Sequence, residues 1–436
     1  MKHLFITLIL LIFVMVNSPV SGSTPPAIFD FFNNAKGQVN AGVNIHFVTG
    51  HEKDLDMIAA AGFKFIRMDF NWQAIEKMKG AYDWSGYDEL TANLNKRGLG
   101  AIYILDYSNS LYEETVESVN PLDGSKQKNT ASPQHPESVE AFASWAAAAA
   151  GHFNGNNIIW EIWNEPNIFF WKPKPDVAQY TTLALETAKA IKKKVPEAKV
   201  IGPATSEIPL GYIETFFSTG ILEYLDAVSV HPYRNYAKSP ETAAAEYDNL
   251  RNLISQYAPE GKKKLPVISS EWGYSTFTKG ISEETQARFI VRMQLSNCLN
   301  RIPLSIWYDW MDDGTDPGER EHNFGTVTHE LKPKPSYLSV QVMNKQLDGF
   351  TLQKRIKLAD ENDYVLEFRN EKNEYRLAAW TTGDKHIIKL SYGQSDSQDV
   401  RSINGMGREI KPETGNGQLI LELTGLPQYV TLPSGI

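Results

Sequence analysis

IIWEIWNEPNIFFW, residues 158–171, begins as a run of strand formers, reaches Asn164-Glu165-Pro166 and continues into aromatics. Such a run drives toward the interior and places a carboxylate, Glu165, at its end. Similar runs recur along the chain: Val39–Phe47, Phe63–Phe70, Gly100–Tyr107, Lys199–Thr205, Ala227–Tyr233, Pro266–Gly273 and Leu304–Trp310. Helical patterns fall between them. The one after Glu165 is the clearest, with Asp176 and Gln179 forming a capping box and Val177, Tyr180, Ala184, Ala188 and Ile191 following at helical spacing. Eight strand-helix units over about 310 residues predict an α/β fold, a (β/α)8 TIM barrel. The rival is a doubly wound open sheet. It is disfavoured because no Gly-rich phosphate loop follows an early strand, and because polar and aromatic residues gather at the strand ends.

From Phe350 the helical period gives way to short alternating segments such as DYVLEFRN, EYRLAAWTT and GQLILELTG. These predict a small C-terminal antiparallel β-sandwich domain over 350–436, after a barrel over 23–349. Its default role is structural, with a separate sugar-binding role as the alternative. Residues 1–22 read as a signal peptide: Lys2 in a positive start, a thirteen-residue apolar stretch from Leu4 to Val16, and small residues up to a cut after Gly22. The expected localisation is therefore secreted or periplasmic, with membrane anchoring if the segment is retained. A spanning helix needs roughly 20 apolar residues, so stable membrane insertion is not expected.

The chain has 436 residues and a formal charge of −9, or −10 without Lys2. No basic face for nucleic acid is visible; Lys192–Lys194 reads as support for a helix C-terminus. Cys298, the single cysteine, reads as a buried small hydrophobe. The acidic loop after the last barrel strand, MDDGTDPGEREHNFGTV (311–327), lacks the ligand spacing of a calcium loop. No metal or cofactor is implied. The loop reads as a cleft wall, with Asp312, Asp313 and Arg320 as sugar contacts.

Two glutamates stand at strand ends, Glu165 on the fourth and Glu271 on the seventh (VISSEWGYS). Across a barrel mouth two such carboxyls can face one sugar, and glycosidic bonds are broken by one protonated and one ionised carboxyl. WEIWNEPN, SVHPY and SSEWG together resemble the clan A retaining glycoside hydrolases, most nearly family 39 and the PslG-type exopolysaccharide endoglycosidases. The resemblance implies Glu165 as acid/base, Glu271 as nucleophile, Asn164 as ligand of the hydroxyl beside the anomeric carbon, and Arg67 as the strand-two arginine that steadies the nucleophile. It also implies His231 and Tyr233 as the strand-six pair lining the site, and Trp307 or Trp310 as the strand-eight sugar platform, with Trp307 preferred. His46 and Trp72 are further cleft candidates. Trp160, Trp163 and Ile168 are expected to surround Glu165 with apolar surface and raise its pKa, while Arg67 favours the charged form of Glu271. Glu161, on the parity of Glu165, should point into the barrel and pair with a cation such as Arg67. Phe169, Phe170 and Trp171 should form either a leaving-group subsite or a hydrophobic plug.

The function that follows is a secreted hydrolase of β-linked polysaccharide, such as a biofilm exopolysaccharide, acting internally and as a monomer. The alternatives are an exo-acting β-glycosidase such as a β-xylosidase, and a non-catalytic polysaccharide-binding protein of a matrix or secretion apparatus.

Overall fold

A computed structural model describes residues 32, 37–119, 124–391, 400–415, 417–433 and 435–436. The signal segment and its cut lie outside them. Eight parallel strands close into a barrel: β1 (Ala41–Asn44), β2 (Phe65–Asn71), β3 (Gly100–Asp106), β4 (Ile158–Ile162), β5 (Lys199–Ser206), β6 (Ala227–His231), β7 (Val267–Trp272) and β8 (Ser305–Trp307). Each pairs with its neighbours in sequence, and β1 pairs with β8 to complete the ring.

The inward side chains form layers. Phe65, Ile102, Ile159, Ile201, Ala227, Ile268, Leu304 and Ile306 make one apolar cluster filling the barrel, and the alternate residues of β4, Ile158, Trp160 and Ile162, join the core under the helices. Period-two alternation explains why β4 is apolar on both faces except for one inward position, Glu161. Two glycines let bulky neighbours meet across the ring. A Cβ on Gly42 would lie 2.3 Å from Ile306 Cδ1, and one on Gly100 would lie 2.5 Å from the Phe65 ring.

A helix follows every strand, from Glu52–Ala60 after β1 to Pro335–Leu347 after β8. The helix after β4, Val177–Lys194, is capped by Asp176, whose side chain accepts from the Ala178 and Gln179 amides. The expected box is only half formed, because the Gln179 side chain turns away to meet Trp171 and Gln134. The same helix sends the Tyr180 hydroxyl to the Ile162 carbonyl at 2.9 Å, tying off the end of β4. Lys192 to Lys194 occupy its last turn, where their charge suits the helix C-terminus. Cys298 is buried and free in the helix Glu283–Leu299.

Beyond the barrel, a six-stranded antiparallel sheet runs in the order 350–355, 363–370, 375–381, 428–432, 401–404, 409–410, opposite a three-stranded sheet of 386–391, 418–423 and 413–415. Alternation divides the larger sheet cleanly. Val365, Leu377, Ala379, Val430 and Leu432 face Ile388, Leu390, Leu419, Leu421 and Leu423 between the sheets. Leu366, Phe368, Ala378, Trp380 and Tyr429 face the other way and merge with the barrel core. One polar knot lies in that interface: Glu241, 8% exposed, accepts two bonds from Arg292, each 2.8 Å, and a third from Trp380 Nε1 at 2.8 Å.

Removing one partner of a buried ion pair strands the other. Glu241→Ala should therefore cost about 3–5 kcal/mol in urea unfolding, whereas Trp380→Phe, losing one bond to a charged acceptor, should cost about 1.5–3 kcal/mol. Equal and small losses would mean the sandwich contributes little through this knot.

Candidate active site

β4 stops at Ile162, and the chain then turns through two left-handed residues, Trp163 at φ 69° and Glu165 at φ 44°. Such a conformation is unfavourable for residues with a Cβ and persists only where the surroundings enforce it. Here the Glu165 amide donates to the Ala204 carbonyl at 2.9 Å, and Asn167 exchanges a reciprocal pair of bonds with the Ser206 backbone, 2.9 and 3.0 Å. The turn delivers Asn164 and Glu165 to the rim at the C-terminal ends of the strands.

Beneath them lies Arg67, 1% exposed. Its Nε donates to Glu161 at 2.7 Å, its Nη1 to Glu271 at 2.5 Å and to Asn44 at 3.3 Å, and its Nη2 to Asn164 at 2.8 Å and to His231 Nε2 at 3.2 Å. A guanidinium has five N–H groups, and all five are engaged. Since Arg67 can only donate, His231 Nε2 must accept. His231 is therefore neutral with its proton on Nδ1, which donates to Glu165 Oε1 at 3.0 Å. Burial, above all, pushes His231 down to about 4, in agreement with that tautomer. The other oxygen of Glu271 accepts from the Tyr233 hydroxyl at 2.7 Å.

Glu165 is 6% exposed, and burial raises its pKa to about 7, with Ser206, Arg67 and Arg320 pulling it down and Glu207 adding to the rise. Its Oε1 is occupied by the His231 N–H, so a proton held by Glu165 sits on Oε2. The apolar cover differs from expectation. Ile168 lines the cleft, but Trp160 and Trp163 are turned to the helix layer, packing on Phe70 and Phe153 and on Phe142 and Trp171. Glu161 is fully buried on Arg67; burial works to raise its pKa, but the guanidinium outweighs it and the net shift is downward. A carboxylate oxygen of Glu165 and one of Glu271 lie within 4.8 Å of each other.

These groups floor a cleft of about 990 Å³ to which the ends of all eight strands contribute. His46 lies on its wall, its Nδ1 3.2 Å from Asp313. Burial opposes its charge, but Asp313 and Asp309 raise its pKa to about 9. Phe169 and Phe170 stack at 4.5 Å, and Phe170 lies parallel to Tyr107 at 5.9 Å, so the pair walls the cleft while Trp171 is buried beneath. Arg320 and Asp313 line it as expected; Asp312 does not, being paired with Lys334 at 3.0 Å.

Three aromatic expectations fail. Trp307 is buried, with its Nε1 turned to the Phe324 carbonyl. Trp310 is buried, donating to Asp54 at 2.9 Å and packing edge-on to Tyr337. Trp72 donates to Glu76 at 2.6 Å and packs among Tyr112, Phe142 and Trp145. The strand-eight aromatic in the cleft is Tyr308, which continues the inward parity of Ile306 past the end of the strand. Sequence reading also missed Asn44, Asp69, Tyr107, Ser206 and Glu207 on the cleft. The parity of Arg67 could have found Asp69, and that of Ile102 points toward the end of β3.

Among the described residues, two side-chain groups put three possible metal ligands within 4.8 Å: Glu165, His231 and Glu271, and His46, Asp309 and Asp313. Neither imidazole offers a free lone pair there. His231 uses both nitrogens, and His46 is held protonated by its aspartates.

The cellulase model, glycosyl hydrolase family 5, matches residues 33–313. A β-xylosidase of Caldicellulosiruptor saccharolyticus is 26% identical over 234 residues, 48% of this chain and 47% of that one, so the chain spans about half the length of that relative. A family 39 glycoside hydrolase from the gut symbiont Bacteroides cellulosilyticus WH2 superposes with a TM-score of 0.76 at 25% identity, over 92% of this chain and 82% of that one. A family 39 β-xylosidase from Caulobacter crescentus shares the fold, with a TM-score of 0.66 at 17% identity over 90% and 95% of the two chains.

The raised pKa of Glu165 has a sign that can be measured. Below about 4.5 the group is protonated folded and unfolded, and costs nothing; as pH rises through 7 the folded protein must give up a proton it holds more tightly, and stability falls. Glu165→Gln removes that titration. Its stability relative to the unaltered protein should rise by about 3 kcal/mol between pH 4.5 and 8 in urea unfolding; a pH-independent difference would contradict the environment described for Glu165.

Proposed function

The chain belongs to the cellulase family, glycosyl hydrolase family 5, and from that membership we propose that it is a retaining glycoside hydrolase in which Glu165 is the acid/base and Glu271 the nucleophile. The observation that carries this reading is the approach of the two carboxyls, with oxygens within 4.8 Å. Retaining enzymes hold theirs at about 5–5.5 Å, whereas inverting ones need roughly 6.5–9.5 Å to admit a water between them.

The surroundings support the division of labour. Glu271 accepts from Arg67 and Tyr233 on separate oxygens, so it is fixed as an acceptor facing the anomeric carbon. Glu165 carries the proton on Oε2, donates it to the departing oxygen, and in the second step takes one from the water that releases the sugar. Asn164, held by Arg67 and Tyr107, is placed to bond the hydroxyl beside the anomeric carbon. Tyr308 offers an aromatic face to the sugar in the place expected of a tryptophan.

The substrate reading is a β-linked polysaccharide or exopolysaccharide cut internally. A cleft of about 990 Å³ is at the upper end of the roughly 300–1,000 Å³ of small-molecule sites, and its Phe169–Phe170 wall adds aromatic surface to the same cleft as the acid. Exo action on a β-xyloside is the second reading, favoured by the name of the curated relative. A purely binding role is disfavoured, because a binder has no use for a carboxyl kept protonated opposite an acceptor-only partner. Secretion or periplasmic placement rests on residues 1–22 alone. Among the described residues no helix is long and apolar enough to cross a membrane.

Glu271→Ala should lose turnover of an activated aryl β-glycoside and regain it with azide, giving the α-glycosyl azide by direct displacement. Absence of rescue, or a β-glycosyl azide, would sink Glu271 as nucleophile.

A further inference from the structure

On β2, Arg67 and Asp69 share the inward face, and Asp69 lines the cleft. Because β2 runs between β1 and β3, Asp69 stands between the ends that carry His46 and Tyr107. Asp106 ends β3 on the parity of Ile102. It is 0% exposed, and neither of its carboxyl oxygens has a hydrogen-bond donor. Asp69 stands on the paired strand, one inward position below the level of Asp106. Two neighbouring buried carboxyls with no donor between them are tolerated only if one carries a proton. Burial first, and Asp69 second, drive the Asp106 carboxyl well above the usual range. Asp106 is thus the carboxyl of the two that burial keeps protonated, and its O–H needs an acceptor, which Asp69 on the paired strand can supply while facing the cleft.

Sugar hydroxyls are donors in need of oriented acceptors, and one carboxylate can accept from two vicinal hydroxyls at once. Asp69 is the next inward residue of β2 above Arg67, whose Nη2 holds Asn164 at 2.8 Å, and it lines the same cleft as Asn164, so it borders the sugar whose anomeric carbon reacts. Resting on the retaining reading above, we propose that Asp69 is the specificity-determining residue that reads hydroxyls of that sugar beyond the one at Asn164, with Asp106 as the positioning residue that orients it through a shared proton.

The test is kcat/KM on the p-nitrophenyl β-glycosides of xylose, glucose, galactose and mannose, and on the 3-deoxy and 4-deoxy analogues of whichever is cleaved fastest. Asp69→Asn should lose about 10- to 100-fold on the parent, the range for a bond to a charged group. That loss should shrink to within about threefold on the analogue lacking the hydroxyl Asp69 contacts. Asp106→Asn, whose amide can donate as the shared proton does, should stay within about threefold of the unaltered protein, whereas Asp106→Leu should fall as far as Asp69→Asn. An equal loss on parent and deoxy substrates would assign Asp69 a merely structural role and overturn the proposal, as would full activity of Asp69→Asn. The parent rate of the unaltered protein reports on the retaining reading separately: no cleavage of any glycoside would overturn that reading and this inference with it.

Discussion

The buried guanidinium of Arg67 is the constraint on which the site depends. Its five N–H groups reach Asn44 on β1, Glu161 and Asn164 on and after β4, His231 on β6 and Glu271 on β7, so one side chain sets the relative positions of four barrel segments. A charge this deep is costly unless every donor is met, and Glu161 supplies the counter-charge from below. The consequence reaches Glu165 without touching it. By requiring an acceptor at His231 Nε2, Arg67 fixes the imidazole tautomer, and the tautomer decides which oxygen of Glu165 is free to hold a proton. A lysine could supply the charge but not five directed bonds.

The barrel provides the frame for this. The apolar layer of Ile159, Ile268 and their neighbours fills the interior below Arg67, so the polar cluster is confined to the top of the barrel, where the strand-end loops gather. Above it, the left-handed turn at Trp163 and Glu165 departs from strand geometry. A continued regular strand would keep Asn164 and Glu165 on opposite faces, whereas the turn brings both to one rim. Packing holds the turn in place, through Trp163 against Phe142 and Trp171 and Asn167 against Ser206. The strain therefore sits where both proposed catalytic functions of β4 are delivered.

Much of this could be read from the chain. The eight strands were visible because each is buried on two sides, and the sandwich because its sheets alternate. Arg67, Asn164, Glu165, His231, Tyr233 and Glu271 converge as their motifs suggested. The failures share a cause. Residue type and nearness to a strand end point to Trp72, Trp307 and Trp310, but an aromatic there serves the helix layer as readily as the cleft, and parity stops being informative once the strand has ended. Trp310 lies three residues past β8, whereas Tyr308, still in register with Ile306, is the one that reaches the cleft. The Asp69–Asp106 contact was invisible for a different reason, since it joins two strands whose relative register no single sequence displays.

Oxygens of Glu165 and Glu271 within 4.8 Å of each other suit a double displacement and leave little room for an attacking water. The most direct measurement is the anomeric configuration of the first product, followed by proton NMR during early hydrolysis of a β-glycoside. With Glu271 as nucleophile the β-anomer appears first and only later relaxes to the mutarotated mixture. The α-anomer appearing first would mean that water attacks directly, and would contradict the role given to Glu271.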